Sequence, residues 1–336
     1  VPLAAPWWLF WLLLLATFLF HLLAMNLVVG GALFAAISRL KFDSAHSAEA
    51  KKLSSYLSRA LPVLVAAAIT FGVAPLLFVQ VLYGRVLYTS SILMGWYWLL
   101  VIPLLITAYY SLYLVAFRTD PADSKSTLLS WVTVGTLGLI AFIYTNNMSL
   151  MLRPETFLES YIGESRGVTL NLWDLTLIPR FLHMILGAIA VSAAGLFLLG
   201  HSRMAKDWSF GAWAVRKGGT VFIIVTAINF IVGTWFLLSY NRVILLEFMR
   251  SSPLGVAALA IGLVFGLTAL GLTALGIQGE KVSSFRYGAV VSLVLTILSM
   301  IVLRDQMRST ILAQYMEPVR WTEPQSGAIL IFLILL

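Results

Sequence analysis

Apolar runs long enough to cross a bilayer recur along almost the whole chain. They fall at about 8–37, 61–83, 92–117, 128–150, 177–200, 219–240, 254–277 and 286–303, and a further one starts near Gly327 and is still apolar at Leu336, as though the polypeptide continued. A spanning helix needs about 20 such residues. The expected fold is therefore an all-α, polytopic transmembrane bundle of eight or nine helices. Composition agrees, with 60% hydrophobic and 11% charged residues, where a soluble domain carries about 25% charged.

Every lysine (Lys41, Lys51, Lys52, Lys125, Lys206, Lys217, Lys281) falls in a loop after an odd-numbered run, and the opposite loops carry arginine but no lysine. The positive-inside rule then places the lysine loops in the cytoplasm and the N-terminus outside, with the chain in an inner (cytoplasmic) membrane. Trp7, Trp8 and Trp11 suit an aromatic belt at the outer interface. The N-terminus lacks a basic n-region, and the first run is long enough to be retained as a helix. Loops facing anionic lipid account for the net charge of +8, so no nucleic-acid partner is expected. The absence of cysteine excludes protein-held iron–sulfur clusters, disulfides and covalently attached haem. Spanning runs almost free of acids argue against a proton-coupled transporter, and no convincing internal repeat is visible.

Of the four histidines, only His21 and His183 lie inside long apolar runs. An unpartnered imidazole in a bilayer is costly, so both are functional candidates. They precede Arg39 and Arg203, at the far ends of their runs, by 18 and 20 residues. At 1.5 Å per residue that is roughly 27 and 30 Å, which puts both toward the outer leaflet. Two neutral imidazoles in one layer suit haem iron; the plainer reading is a histidine bonded to a neighbouring helix. Arg180 lies one turn before His183 on the same face, suited to a haem propionate or to anchoring the helix at the interface.

Other candidates are weaker. Met25 shares a face with His21 and reads as packing. Met148, Met151, Met249 and Met307 lie near the outer surface, and spacing assigns none of them as an axial ligand. His46 and His201 read as solvated loop residues, while Gln80 and Asn229 read as interhelical hydrogen-bonding groups. Glu155, Glu159, Glu164 and Asp174 form an acidic outer loop, solvated or else gating protons or docking a partner. A stretch at 304–325, with Arg304, Arg308, Arg320 and Trp321, reads as an external loop, either a docking surface or a connector.

Four stretches resemble a known family. The first run reads Phe20-His21-Leu22-Leu23-Ala24-Met25-Asn26-Leu27-Val28-Val29-Gly30-Gly31. The second holds Phe71-Gly72-Val73-Ala74, then Gln80 and Gly84. The fourth ends in Asn146-Asn147-Met148 with Pro154 following. The fifth opens Pro179-Arg180-Phe181-Leu182-His183, followed by Gly187, Ala194 and Leu199-Gly200. In order and spacing these resemble subunit I of the cytochrome bd quinol oxidases over about the first 240 residues. The resemblance implies that His21 ligates a haem of a di-haem site, that His183 ligates a low-spin haem, and that quinol is the substrate.

Three departures accompany it. Gln80 stands where that family carries a haem-associated glutamate. The third run opens Met94-Gly95-Trp96-Tyr97-Trp98 without the acids expected there. The external loop after the sixth run, which resembles a quinol-oxidising site in those oxidases, shrinks to about 241–253, and the arginine and methionine that would follow it have no clear counterpart. These departures count against oxygen reduction and leave electron transfer.

The expectation is a haem b subunit with one or two haems. Residues 1–240 form its haem-binding six-helix region and 241–336 add further spans. His21, His183, Arg180 and Gln80 are its cofactor-binding residues. It exchanges electrons between the quinol pool and an extracytoplasmic c-type cytochrome, within a complex of other subunits. The rival readings are a reduced bd-type terminal oxidase with a gas-reactive haem at His21, and a cofactor-free membrane anchor or transporter.

Overall fold

The computed structural model describes residues 3, 5–40, 46–117, 124–278, 283–316 and 325–335. Among them, eight helices are long and apolar enough to cross a membrane. These are α1 (Trp7–Arg39), α2 (Ser47–Leu93), α3 (Gly95–Phe117), α4 (Ser124–Leu150), α6 (Leu177–Arg203), α7 (Trp208–Leu238), α9 (Pro253–Ile277) and α10 (Ser283–Leu312). Short helices α5 (Phe157–Gly163) and α8 (Arg242–Ser251) lie between spans, and α11 (Ser326–Leu335) follows them. The chain is thus a multi-pass membrane protein, all-helical among the described residues. Side chains such as Val63, Ile106, Ile231 and Val264 stand exposed, as lipid-facing positions must.

Packing divides the bundle into two groups of four. In one, α1 packs along α2, and α3 pairs with α4; in the other, α6 packs along α7, and α9 pairs with α10. The groups meet where α1 crosses α6. That crossing requires glycine at position 30, since a Cβ there would lie 2.4 Å from the Ala188 carbonyl oxygen. The Ser192 hydroxyl donates to the Asn26 carbonyl at 3.0 Å in the same contact. Small residues and a short interhelical bond are what hold helices together in lipid, where no hydrophobic force separates helix from solvent.

Side-chain caps start three helices: Asp207 accepts from Phe210 N–H ahead of α7, Asn241 from Val243 N–H ahead of α8, and Ser252 from Gly255 N–H ahead of α9. At the lysine end, Lys52 pairs with Asp207, and this charge with the Phe210 N–H bond holds the Asp207 carboxyl below its ordinary range. By the positive-inside expectation the opposite end is the outer one.

Two regions differ from the sequence reading. α10 runs on to Leu312, so Arg304 and Arg308 lie on its last turns rather than in an external loop; Arg320 and Trp321 lie outside the described residues. His201 is not a free loop residue. It ends α6, stacks edge-on against Tyr287, and its Nδ1 meets the buried Arg286 guanidinium at 2.9 Å.

Candidate functional site

His21 on α1 turns its ring toward α2. Its Nδ1–H donates to the Ala68 carbonyl at 2.9 Å, which selects the tautomer with Nε2 free as an acceptor. Gly72, one turn along α2, makes the room: a Cβ there would lie 2.8 Å from Cε1 and 2.9 Å from Nδ1 of the ring. The Cε1–Nδ1 edge therefore faces α2, and no hydrogen bond engages Nε2 among the described residues.

His183 on α6 repeats this arrangement against α7. A Cβ at Gly233 would lie 3.0 Å from its Cε1 and 3.1 Å from Nδ1. Asn229, one turn before Gly233, offers its backbone carbonyl and side chain to the ring. No well-formed bond closes, so His183 Nδ1 and Asn229 Oδ1 stay buried and unsatisfied. The rings match in their aromatic neighbours as well, Phe18 for His21 and Phe236 for His183, each at 6.3 Å between centroids and tilted 37°.

The spacing is the same to within one residue. His21 to His183 is 162 residues, Ala68 to Asn229 is 161, and Gly72 to Gly233 is 161. The α1–α2 and α6–α7 pairs thus present the same histidine seat twice, one in each four-helix group. The sequence reading found no repeat because few side chains other than the histidine and the glycine are shared.

An arginine caps each seat on its outer side. Arg304 lies 4.9 Å over the Phe18 ring and Arg180 lies 5.2 Å over Phe236. Arg308 lies one turn beyond Arg304, 4.2 Å over Tyr83. The α2 backbone leaves helical geometry at Tyr83 (φ −130°, ψ 22°), and the Tyr83 hydroxyl reaches Ser309 Oγ at 3.1 Å.

Arg304 feels the charges of Arg308, Arg180 and Asp305, and it acts in turn on His21. Asp305, 2% exposed, pairs with Arg308 and accepts from the Trp11 indole at 2.6 Å. Arg180 donates to the Tyr240 hydroxyl at 3.2 Å and to Thr176 Oγ1 at 3.3 Å. Thr176 in turn reaches Asp174, which also accepts from Ser149 and Asn171. Even with Asp174 counted, positive charge exceeds negative in this cluster. Nε of Arg180 and of Arg308 is buried without a partner.

Two imidazole edges below an arginine cluster with unsatisfied donors could hold a planar metal macrocycle with acidic side arms. Haem has that chemistry, iron for the imidazole nitrogen and carboxylates for the guanidinium forks. The unsatisfied buried atoms follow the same pattern, because buried donors are normally paired.

The structure brings His21, His183 and Arg180 into this arrangement. Gln80 lies on α2 between Gly72 and Tyr83, half-buried. Met151 packs with Val86, Leu87 and Leu312, and Met307 with Phe248 and Ile311, while Met249 is exposed. The sequence reading put Arg304 and Arg308 in an external loop and read Asn229 as an interhelical hydrogen-bonding group without linking it to His183; it gave Asp305, Gly72 and Gly233 no place in the site. The available signal was the spacing of the histidine–glycine pairs.

No protein-family model and no curated protein matches the chain. Among solved structures it is similar to the bd oxidase from Geobacillus thermodenitrificans, across 100% of this chain and 95% of that one, with a TM-score of 0.72 and 14% sequence identity. Likeness at that identity carries the fold, and the chain accordingly has a bd-oxidase-like membrane fold.

Proposed function

We propose that the chain is a haem b-binding electron-transfer subunit of a membrane complex, linking the quinol pool to an extracytoplasmic carrier of the c-type cytochrome kind. The observation that carries this reading is the duplicated seat: a histidine with its Nδ1 edge held against a glycine, an aromatic neighbour, and an outer arginine. Haem bound there supplies one-electron iron chemistry at a potential tuned by ligand, charge and burial.

The residues of the chain do the rest. His21 and His183 would be the residues that hold the iron, His21 through the Nε2 that its Nδ1–H bond to Ala68 leaves free, as an outer-shell partner does at metal sites. Arg180, Arg304 and Arg308 would pair with the haem's carboxylate arms at the outer end. The apolar layer around Ala24, Val28, Leu61, Val65 and Leu137 separates the His21 seat from the lysine end and excludes water. Gln80 in place of a carboxylate, with Asp305 already paired to Arg308, favours electron transfer over reduction of oxygen with its proton demand.

The test is optical. Adding a quinol to the purified, oxidised complex should raise reduced b-type absorbance, and carbon monoxide should leave the reduced spectrum unchanged. No change with quinol contradicts the reading, and a carbon monoxide shift favours the oxidase instead.

A further inference from the structure

The two histidine seats differ in one respect that their shared spacing hides. The position that faces the ring from the neighbouring helix is Ala68 in one and Asn229 in the other. At His21 the Ala68 backbone carbonyl closes the bond at 2.9 Å, and its methyl group adds no acceptor. At His183 the corresponding carbonyl makes no well-formed bond, and Asn229 brings a second acceptor, its side-chain carbonyl, to the same ring. The amide is placed for this role. Its Nδ2 lies 3.8 Å from where a Cβ at Gly187 would stand, one turn along α6 from His183. The side chain therefore lies between α6 and α7, within a turn of the ring.

A polar side chain in a spanning helix is accounted for when it simply ties two helices together. Asn229 does not do so, because its Oδ1 is buried with no partner. Thr226, three residues earlier on α7, leaves its hydroxyl unpaired as well and so does not hold the amide. By contrast, Thr234 on the same helix returns its hydroxyl to the Phe230 carbonyl at 2.9 Å. His183 Nδ1 is the third buried atom without a partner, and it is the atom to which Asn229 is offered. Buried donors and acceptors are normally paired. A rotation of the amide pairs these two.

We infer that Asn229 is the positioning residue of the His183 seat: its side-chain carbonyl takes the Nδ1–H of His183 and leaves Nε2 as the free nitrogen. An acceptor at the far nitrogen raises the basicity of a ligating imidazole, and a more basic ligand favours oxidised iron. The two seats are thereby made unequal. The His21 seat has a backbone acceptor that no side-chain substitution removes, and the His183 seat has a side chain that sets the strength of its own bond. The effect on potential rests on the haem reading above, whereas the tautomer of His183 is tested without haem.

The full chain in nanodiscs is titrated potentiometrically, the His183 haem being the one that His183→Ala removes. Asn229→Asp strengthens the acceptor. It is expected to shift the oxidised-to-reduced ratio of that haem at least tenfold toward oxidised, about 59 mV for one electron. Asn229→Leu removes the acceptor and is expected to shift the ratio the other way, with the His21 haem unchanged in both variants. Shifts of one sign in both variants, a shift of both haems, or no shift, which leaves the backbone carbonyl as the partner, each overturn the inference. Should Asn229→Leu lose the His183 haem, nitrogen-15 NMR of the histidine-labelled full chain without haem decides, with His183 assigned by difference against His183→Ala. The parent should carry its proton on Nδ1 and Asn229→Leu should show a mixture of tautomers. A parent protonated on Nε2, or a variant with the parent's spectrum, overturns the inference. A parent that binds no haem defeats the function proposed above, and the NMR result still decides the role of Asn229.

Discussion

His21 Nδ1 lies 2.9 Å from the carbonyl oxygen of Ala68, one turn before the glycine that makes room for the ring. That single bond sets the tautomer, aims Nε2 away from α2 and ties α1 to its neighbour. His183 has the corresponding residues, Asn229 and Gly233, one position nearer in sequence than Ala68 and Gly72 are to His21.

Adding one methyl group beside either ring should displace it. Gly72→Ala forces ring and Cβ to overlap and Gly233→Ala asks the His183 ring to give by a few tenths of an ångström, a kind of overpacking that costs about 1–3 kcal/mol. Each variant is expected to insert and fold but to lose one haem, and only its own. Haem quantitation on the two single variants checks this; equal loss from both seats in either variant contradicts it.

Asp305 is the buried counter-charge of the outer cluster. Asp305→Ala leaves Arg308 buried without its carboxylate, which should cost about 3–5 kcal/mol. Asp305→Asn keeps an acceptor for the Trp11 indole and should cost less. Thermal unfolding in nanodiscs measures both.

Arg304 carries no hydrogen bond or salt bridge among the described residues and stacks over Phe18 beside the His21 seat. Replacing it by glutamine removes a positive charge, which favours the oxidised iron. The midpoint potential of the His21 haem should move downward by tens of millivolts, where about 59 mV is a tenfold change for one electron. Arg180→Gln should do the same to the His183 haem. Potentiometric titration of each variant separates the two.

Glu164 should titrate with a midpoint near about 2, well below the ordinary 4.5. Because its pKa is lowered in the folded state, the ion pair with Arg166 contributes fully above that ordinary value and is lost as pH falls through about 2. Carbon-13 NMR of labelled glutamate reads the midpoint directly. Arg166→Gln should return it toward 4.5.

Much of this was legible in the sequence. Eight apolar runs gave the spans, and lysine placement gave one face to the loops. Two histidines in apolar surroundings marked the seats, and Arg180 followed from its one-turn spacing to His183. Arg304, Asp305 and Arg308 were misplaced for a physical reason. Hydropathy falls after Leu303, yet the helix continues because Trp11 of α1 and Tyr83 of α2 cover those polar groups. That cover is tertiary, and no local pattern in α10 announces it. The same holds for Gly72 and Gly233, whose meaning appears only once a ring is seen against each.

The most direct measurement is pyridine haemochrome quantitation on the purified protein and on His21→Ala and His183→Ala. The duplicated seat predicts two b-type haems per chain in the parent and one in each variant, with distinct residual spectra. A parent without haem, or variants that keep both, contradicts it.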